Sequence, residues 1–210
     1  MAEMKPGCRL YLQLPMQQPS AALSSRLAHA IASTDTACVL LCPDRSPLDD
    51  STANLVDFVQ GRGLACLVAE DAASASRLKA DGVHLEADPA RYTEARELLG
   101  AGANIGAACG LNRHDAMLLA EMGADYVAFD AGDASDTGAI DRRLELISWW
   151  SEIFVVPCVA WNIAGAEEAA QCAALGADFV APALDLWRSD EGLALIAEID
   201  RAVRQSRRAA

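Results

Sequence analysis

Basic side chains are scarce: 17 Lys and Arg stand against 30 Asp and Glu, for a formal net charge of −13. That deficit argues against nucleic acid as a partner, and its simplest meaning is solubility. Aromatic residues make up only 5% of the 210 positions, and no segment has 18 uninterrupted apolar residues, so no membrane-spanning helix is expected. The N-terminus lacks a basic stretch followed by an apolar one, so no signal peptide is expected and the cytoplasm is the expected compartment. No CxxC pair and no matching His spacing occur among the seven cysteines, which argues against a structural zinc site. The odd cysteine count fits a reducing compartment, and Cys38, Cys66 and Cys158 lie in apolar runs where a thiol acts as a small hydrophobe. The loop after the first apolar run, Pro15-Met16-Gln17-Gln18-Pro19, bears no likeness to GxGxxG, which weighs against a dinucleotide-binding open sheet.

What is present is a repeated phrase. Gly123-Ala124-Asp125-Tyr126-Val127-Ala128-Phe129-Asp130 reads as a helix end, a tight turn and a buried strand ending on a carboxylate. Ala80-Asp81-Gly82-Val83-His84-Leu85-Glu86 precedes it and Gly176-Ala177-Asp178-Phe179-Val180-Ala181 follows it. Glycine near a helix end supplies a left-handed cap, and a short apolar run without alternation suits a strand covered on both faces. Taken in order, strands are predicted over 9–14, 37–42, 64–69, 82–85, 104–108, 125–129, 154–160 and 178–181, each followed by a helix. Ser20, Asp88 and Asn112 open helices, Pro89 occupies a first helical turn, and Pro157 falls awkwardly inside the seventh strand. Eight such units predict a single-domain α/β protein, a (β/α)8 TIM barrel, over 1–210 with its core in 9–206. An open doubly wound sheet is the alternative.

In a barrel of this kind the residues just past each strand form the site. They are rich in acids: Asp44, Glu70, Asp71, Glu86, Asp88, Asp130, Asp133, Asp136 and Asp185, offset only by Arg45 and Arg113. Carboxylates after adjacent strands are the hard oxygen ligands of Mg²⁺, which makes Asp71 and Asp88 the metal candidates and Glu70 and Glu86 second choices. Helix N-capping suits Asp71 and Asp88 equally. The loops after strands seven and eight are the usual phosphate seat, so Trp161, Asn162, Ile163, Ala164 and Ala183 are the binding candidates, through backbone amides in the last three. His84 reads as a core histidine, His114 as solvated, and His29 as a member of the outer ring. Cys109 ends strand five and is placed to touch a ligand, with no neighbouring base. The Trp149-Trp150 pair reads as core on one side and exposed surface or subunit contact on the other, so a homodimer is compatible with the sequence.

Several of these motifs resemble the thiamine phosphate synthase family and its thiazole tautomerase relatives. The resemblance covers most of the chain and is strongest from Leu64 to Asp185. Asp81-Gly82-Val83-His84-Leu85-Glu86-Ala87-Asp88 is similar to the family's DGVHLGQxD, Gly123-Ala124-Asp125-Tyr126-Val127 to its GADYV, and Leu67-Val68-Ala69-Glu70-Asp71 to its strand-three ending. Val156-Pro157-Cys158-Val159-Ala160-Trp161-Asn162-Ile163 stands where the family has PvvAIGGI. The resemblance implies an eight-stranded barrel, a coupling of a pyrimidine methyl diphosphate with a thiazole phosphate in thiamine biosynthesis, Mg²⁺, and Asp71 and Asp88 as its ligands. No membrane partner is implied.

The chain also departs from the family pattern. Where the family carries a QLRxK clamp, this chain has Leu40-Leu41-Cys42-Pro43-Asp44; Cys109 replaces the Ser after strand five, and no Thr-Lys follows strand six. Losing one preorganised group that faces developing charge costs about 3–4 kcal/mol. The expectation is a transferase with a degenerate clamp, crippled unless Arg45 or Arg113 substitutes for the missing cations. The alternative is a repurposed paralogue that binds a small phosphorylated or heterocyclic ligand.

Overall fold

The computed structural model describes residues 7–16, 21–44, 48, 52–132 and 135–206. Strands and helices alternate: β1 (Arg9–Met16), α1 (Ala21–Ser33), β2 (Thr36–Pro43), α2 (Ala53–Gln60), β3 (Ala65–Ala69), α3 (Ala72–Leu78), β4 (Gly82–Glu86) and α4 (Pro89–Leu99). There follow β5 (Asn104–Ala108), α5 (Arg113–Glu121), β6 (Tyr126–Asp130), α6 (Thr137–Ile153), β7 (Cys158–Ile163), α7 (Ala166–Ala174), β8 (Phe179–Pro182), a 3-10 turn (Leu184–Arg188) and α8 (Asp190–Ser206). The strands pair in parallel in chain order, and β1 pairs with β8 to close the barrel. Closure leaves no sheet edge, and the expected TIM barrel is what forms.

The recurring phrase has a structural cause. Each of its aspartates bonds twice to the first or second residue of the preceding strand. The Asp81 amide donates to the Cys66 carbonyl at 2.8 Å and its Oδ2 accepts from the Cys66 amide at 2.7 Å. Asp125 does the same with Ile105, at 2.9 and 2.7 Å, and Asp178 with Cys158, at 3.0 and 2.9 Å. A strand start would otherwise present an unpaired N–H at the barrel's lower rim; the carboxylate satisfies it and sets the stagger of the next strand. Gly123 and Gly176, each at φ +99°, supply the left-handed turn ahead of two of these aspartates, while Lys79 at φ +56° takes that place in the first copy.

Helix starts follow the sequence closely. Asp88 caps α4 through the amides of Ala90 and Arg91, with Pro89 at its first turn, and Asn112 caps α5 through His114 and Asp115. Asp136 caps α6 through Ala139, so that helix begins earlier than expected from 140. Ser20 lies outside the described residues. The predicted seventh strand is displaced. Pro157 sits before β7, where its carbonyl accepts from Val127 at 3.0 Å, and the strand runs on through Trp161 and Asn162, which were expected in the loop. The β7–β8 register shifts between Ala160 and Ile163, and Asn162 has φ +59°, so these residues form a bulge. The bulge turns the Trp161 side chain over the barrel axis.

Between barrel and helices lies the main apolar layer, with Leu10, Leu12, Val39, Leu41, Val68, Val83, Ile105, Val127, Phe129 and Trp150 fully buried. The barrel interior is packed differently. Tyr11, Cys38, Leu40, Leu67, Tyr126, Ala128, Val159 and Ala181 form a separate cluster. Tyr126 fits because β5 offers Gly106: a Cβ there would lie 1.9 Å from Tyr126 Cζ. Among the described residues no helix is long and apolar enough to cross a membrane.

Candidate functional site

At the carboxyl ends of the strands the barrel opens into a cavity of about 230 Å³. Its floor is a set of rings. His84 of β4 stacks on Trp161 (centroids 4.4 Å apart, planes 15°) and on Tyr126 (5.6 Å, 5°). His84 Nδ1 lies 3.1 Å from the Tyr126 hydroxyl, which lies 2.7 Å from the Tyr11 hydroxyl. Burial pulls the His84 imidazole down from 6.5 to about 3, so the ring is neutral at physiological pH. Among the described residues its buried Nε2 has no hydrogen-bond partner. A buried polar atom left unpaired carries a desolvation cost that a bound group would relieve. The sequence placed His84 in the core, and so it is, but on the barrel-interior side, with one nitrogen uncommitted.

The wall above is acidic. Glu70, Glu86 and Asp130 line the cavity with Gln13, Cys42 and Trp161, and no Lys or Arg is among the described lining residues. Glu70, at φ +62°, turns its carboxylate across the rim: Oε1 accepts from the Glu86 amide at 2.7 Å and Oε2 pairs with Arg91. Desolvation raises Asp130 above the usual carboxylate range, opposed by the Gly132 amide and the charge of Arg143.

Asp71 and Asp88 are both helix caps. Asp71 Oδ1 accepts from the Ser74 amide at 2.8 Å, and Asp88 Oδ1 from Ala90 at 2.8 Å and Arg91 at 3.3 Å. Among the described residues no three His, Cys, Asp or Glu side chains gather as a metal centre. Mg²⁺ can be held by one or two carboxylates with substrate oxygens and waters completing its shell; each of these aspartates commits Oδ1 to helix amides, and neither is among the described residues that line the cavity.

The turn after β7 is tightly held from within. Arg143, at 2% side-chain exposure, reaches from α6, donates from Nη1 to the Trp161 carbonyl at 2.8 Å and pairs through Nη2 with Glu168 Oε1. Glu168 Oε2 accepts from the Ala164 amide at 3.3 Å, and the Ala183 amide donates to the Ile163 carbonyl at 2.9 Å. Two of the amides expected to hold a phosphate therefore already have partners in the chain. Trp161 faces the cavity as a ring, and Asn162 supplies the bulge.

The catalytic candidates come out differently. Cys109 is buried in the layer between barrel and helices, its Sγ facing the Ala107 carbonyl at 3.5 Å. Burial pushes its thiol up to about 12, so at neutral pH it holds its proton and offers no nucleophile. Arg45 and Asp133 lie outside the described residues. Arg113 packs its guanidinium over Trp149 at 4.6 Å on the outer face. Sequence reasoning missed Arg143 and Glu168. Glu168, three residues past the N-cap Gly165, has capping-box spacing and could have been found; Arg143 lies mid-helix with no local signal.

The family model described as thiamine monophosphate synthase matches residues 16–184. The thiamine-phosphate synthase of Rhodospirillum centenum is 36% identical, over 94% of this chain and 98% of its own. That of Hyphomonas neptunium is 34% identical, over 91% of each. Among solved structures, the thiamine phosphate pyrophosphorylase from Pyrococcus furiosus superposes with a TM-score of 0.75 at 20% identity, over 94% of this chain and 96% of that one, a likeness of fold. With the family model spanning most of the barrel and relatives matched nearly end to end, the chain belongs to the thiamine monophosphate synthase family.

Proposed function

We propose that the chain is a divergent thiamine phosphate synthase, coupling a pyrimidine methyl diphosphate to a thiazole phosphate at the barrel mouth, with a weakened hold on the departing diphosphate. The observation that carries this reading is the ring-floored cavity with the unpartnered His84 Nε2. A cavity of about 230 Å³ has room for one planar heteroaromatic ring, whose face would meet the side of Trp161 turned away from His84. Asp71, with Asp88 as second ligand, would hold Mg²⁺; the ion's chemistry is charge neutralisation on the leaving diphosphate.

The weakness lies in electrostatic sign. The family's Gln, Arg and Lys after strand two stand here as Leu40, Cys42 and Asp44, and the described wall adds three carboxylates. Each lost cationic or hydrogen-bonding group costs about 10²–10³ in rate. The test is product formation from the two phosphorylated precursors with Mg²⁺. Slow turnover above background supports the reading, and none from folded protein rejects it.

The acidic wall favours a second reading, a repurposed member of the family that binds a small heterocycle without coupling. It expects diphosphate to raise the melting temperature little, because stabilisation follows the logarithm of occupancy. A rise of many degrees at sub-millimolar diphosphate would count against it.

A further inference from the structure

We propose that the opposite end of the barrel, at the amino ends of the strands, carries a second small-molecule site that takes a neutral aromatic ring. This site is separate from the mouth where coupling would occur, and does not depend on that reaction.

A cavity of about 240 Å³ opens at this lower end, similar in size to the one at the mouth. Its lining comes from strand starts: Tyr11 is third in β1, Cys38 third in β2, and Ala65, Tyr126 and Phe179 are each first in β3, β6 and β8. The opening has a cause in the sequence. A barrel interior is ordinarily filled by layers of bulky side chains. Here the β2–β3 register sets Cys38 beside Ala65, two small residues at one level, and the space they leave stays open.

The walls determine what this space suits. The two tyrosines bring ring surface, because their hydroxyls are engaged: the Tyr126 oxygen lies 2.7 Å from that of Tyr11 and 3.1 Å from His84 Nδ1. Leu67 and Phe179 add carbon surface. Asn104 and Asp125 are the polar members of the described lining, and no Lys or Arg is among them. Asp125 Oδ2 already accepts from the Ile105 amide and from Arg96. A charged ligand entering here would lose its water for little in return, whereas a neutral ring gains contact with aromatic and aliphatic walls. The size agrees, since an apolar cavity of about 150 Å³ is enough to hold benzene.

The experiment titrates benzyl alcohol into the intact protein with isotope-labelled alanine methyl groups, followed by NMR. Alanines mark both ends of the barrel: Ala37 and Ala65 line the lower cavity, and Ala69, Ala108 and Ala128 line the mouth. The expected result is a saturable shift at Ala37 and Ala65, a nuclear Overhauser contact between the probe ring and the Ala65 methyl, and a dissociation constant of about 1 mM. Benzoate, the same ring carrying a charge, should bind weaker by about tenfold or more. Ala65→Phe fills the cavity with the protein's own ring and should weaken benzyl alcohol by about tenfold or more. Shifts at Ala37 and Ala65 that are still linear at about 20 mM overturn the proposal. So do probe contacts confined to the alanines of the mouth, benzoate binding as tight as that of benzyl alcohol, or a folded Ala65→Phe protein that binds like the wild type. The wild-type measurements decide the matter even where the variant misfolds. Absence of coupling activity would reject the synthase reading and leave this site standing, while an unresponsive Ala65 methyl would do the reverse.

Discussion

His84 makes the protein's acid sensitivity calculable. The unfolded chain takes up a proton at this imidazole near 6.5, whereas the folded chain resists until about 3, because the charged ring would sit desolvated between Tyr126 and Trp161. The unfolded state therefore binds more protons over that interval, and stability falls as pH falls. The contribution is complete above 6.5 and is lost progressively as pH drops towards about 3. Over the full window the gap corresponds to about 5 kcal/mol; between pH 7.5 and 5 it amounts to about 2 kcal/mol. With a urea m-value of about 2 kcal/mol/M, that moves the midpoint by about 1 M.

The assay is a set of urea melts across this pH range on the wild type and on His84→Phe. Phenylalanine keeps a ring against Trp161 and cannot titrate; the Tyr126 hydroxyl it deprives still has Tyr11 as partner. Both proteins carry the same carboxylates, and the other two histidines, His29 and His114, are exposed. The difference between the two profiles then isolates His84. Parallel profiles from pH 7.5 to 5 would refute the reasoning, since they would mean that the folded ring protonates as easily as the unfolded one.

Other consequences of the geometry can be checked in the same way. Gly106→Ala drives a methyl group into the Tyr126 ring and should destabilise by about 3 kcal/mol in urea melts, with partial recovery when Tyr126→Leu is added. Asp178→Ala strips the Cys158 amide of its acceptor and should cost about 1–3 kcal/mol. Asp125→Ala should cost more, because Asp125 also pairs with Arg96 at 2.7 Å, and equal losses in the two melts would count against that account. Asp71→Asn should leave the melting temperature within a few degrees, since Asn caps a helix as well as Asp. If coupling activity is measurable, the same change should weaken its dependence on Mg²⁺, and an unchanged Mg²⁺ titration would remove Asp71 as a ligand.

The architecture was legible because three of the eight units carry nearly the same phrase, and helix caps such as Asp88-Pro89 and Asn112 announce themselves locally. What the phrase accomplishes was not legible. That an aspartate ties back to the start of the preceding strand is a contact between distant positions, and no local pattern encodes it. The end of β7 was misplaced for a related reason: Trp161-Asn162 looks like loop chemistry, and only the pairing of Ile163 with Pro182 shows the strand resuming after a bulge. His84 was ambiguous in principle, because a strand buried on both faces does not reveal which side is the barrel interior. The acid-rich mouth was foreseen from strand-end residues, although Asp71 and Asp88 emerge as caps first.

Asp130 offers a way to measure which charge the mouth accepts. It is half-buried beside Trp161 at the end of β6, and desolvation has already lifted its affinity for a proton. An anion entering the cavity must raise that affinity further, so binding draws a proton from solution; a cationic ring must lower it and release one. Calorimetric titrations at a series of acidic pH values, each in two buffers of different ionisation enthalpy, give the number and sign of protons exchanged. With diphosphate as the probe, the wild type should take up more protons than Asp130→Asn, whose amide cannot titrate, and the difference between the two removes whatever the diphosphate itself contributes. A synthase that carries both phosphorylated substrates into this cup must work against that proton-linked cost on every turnover. Its coupling rate should then rise in Asp130→Asn most at neutral pH, where the wild-type carboxylate is charged, and the two rates should converge at low pH as that carboxylate takes up its proton. Identical proton uptake in the two proteins would mean that anions never come near β6, and the acidic wall would cease to explain any weakness of the clamp.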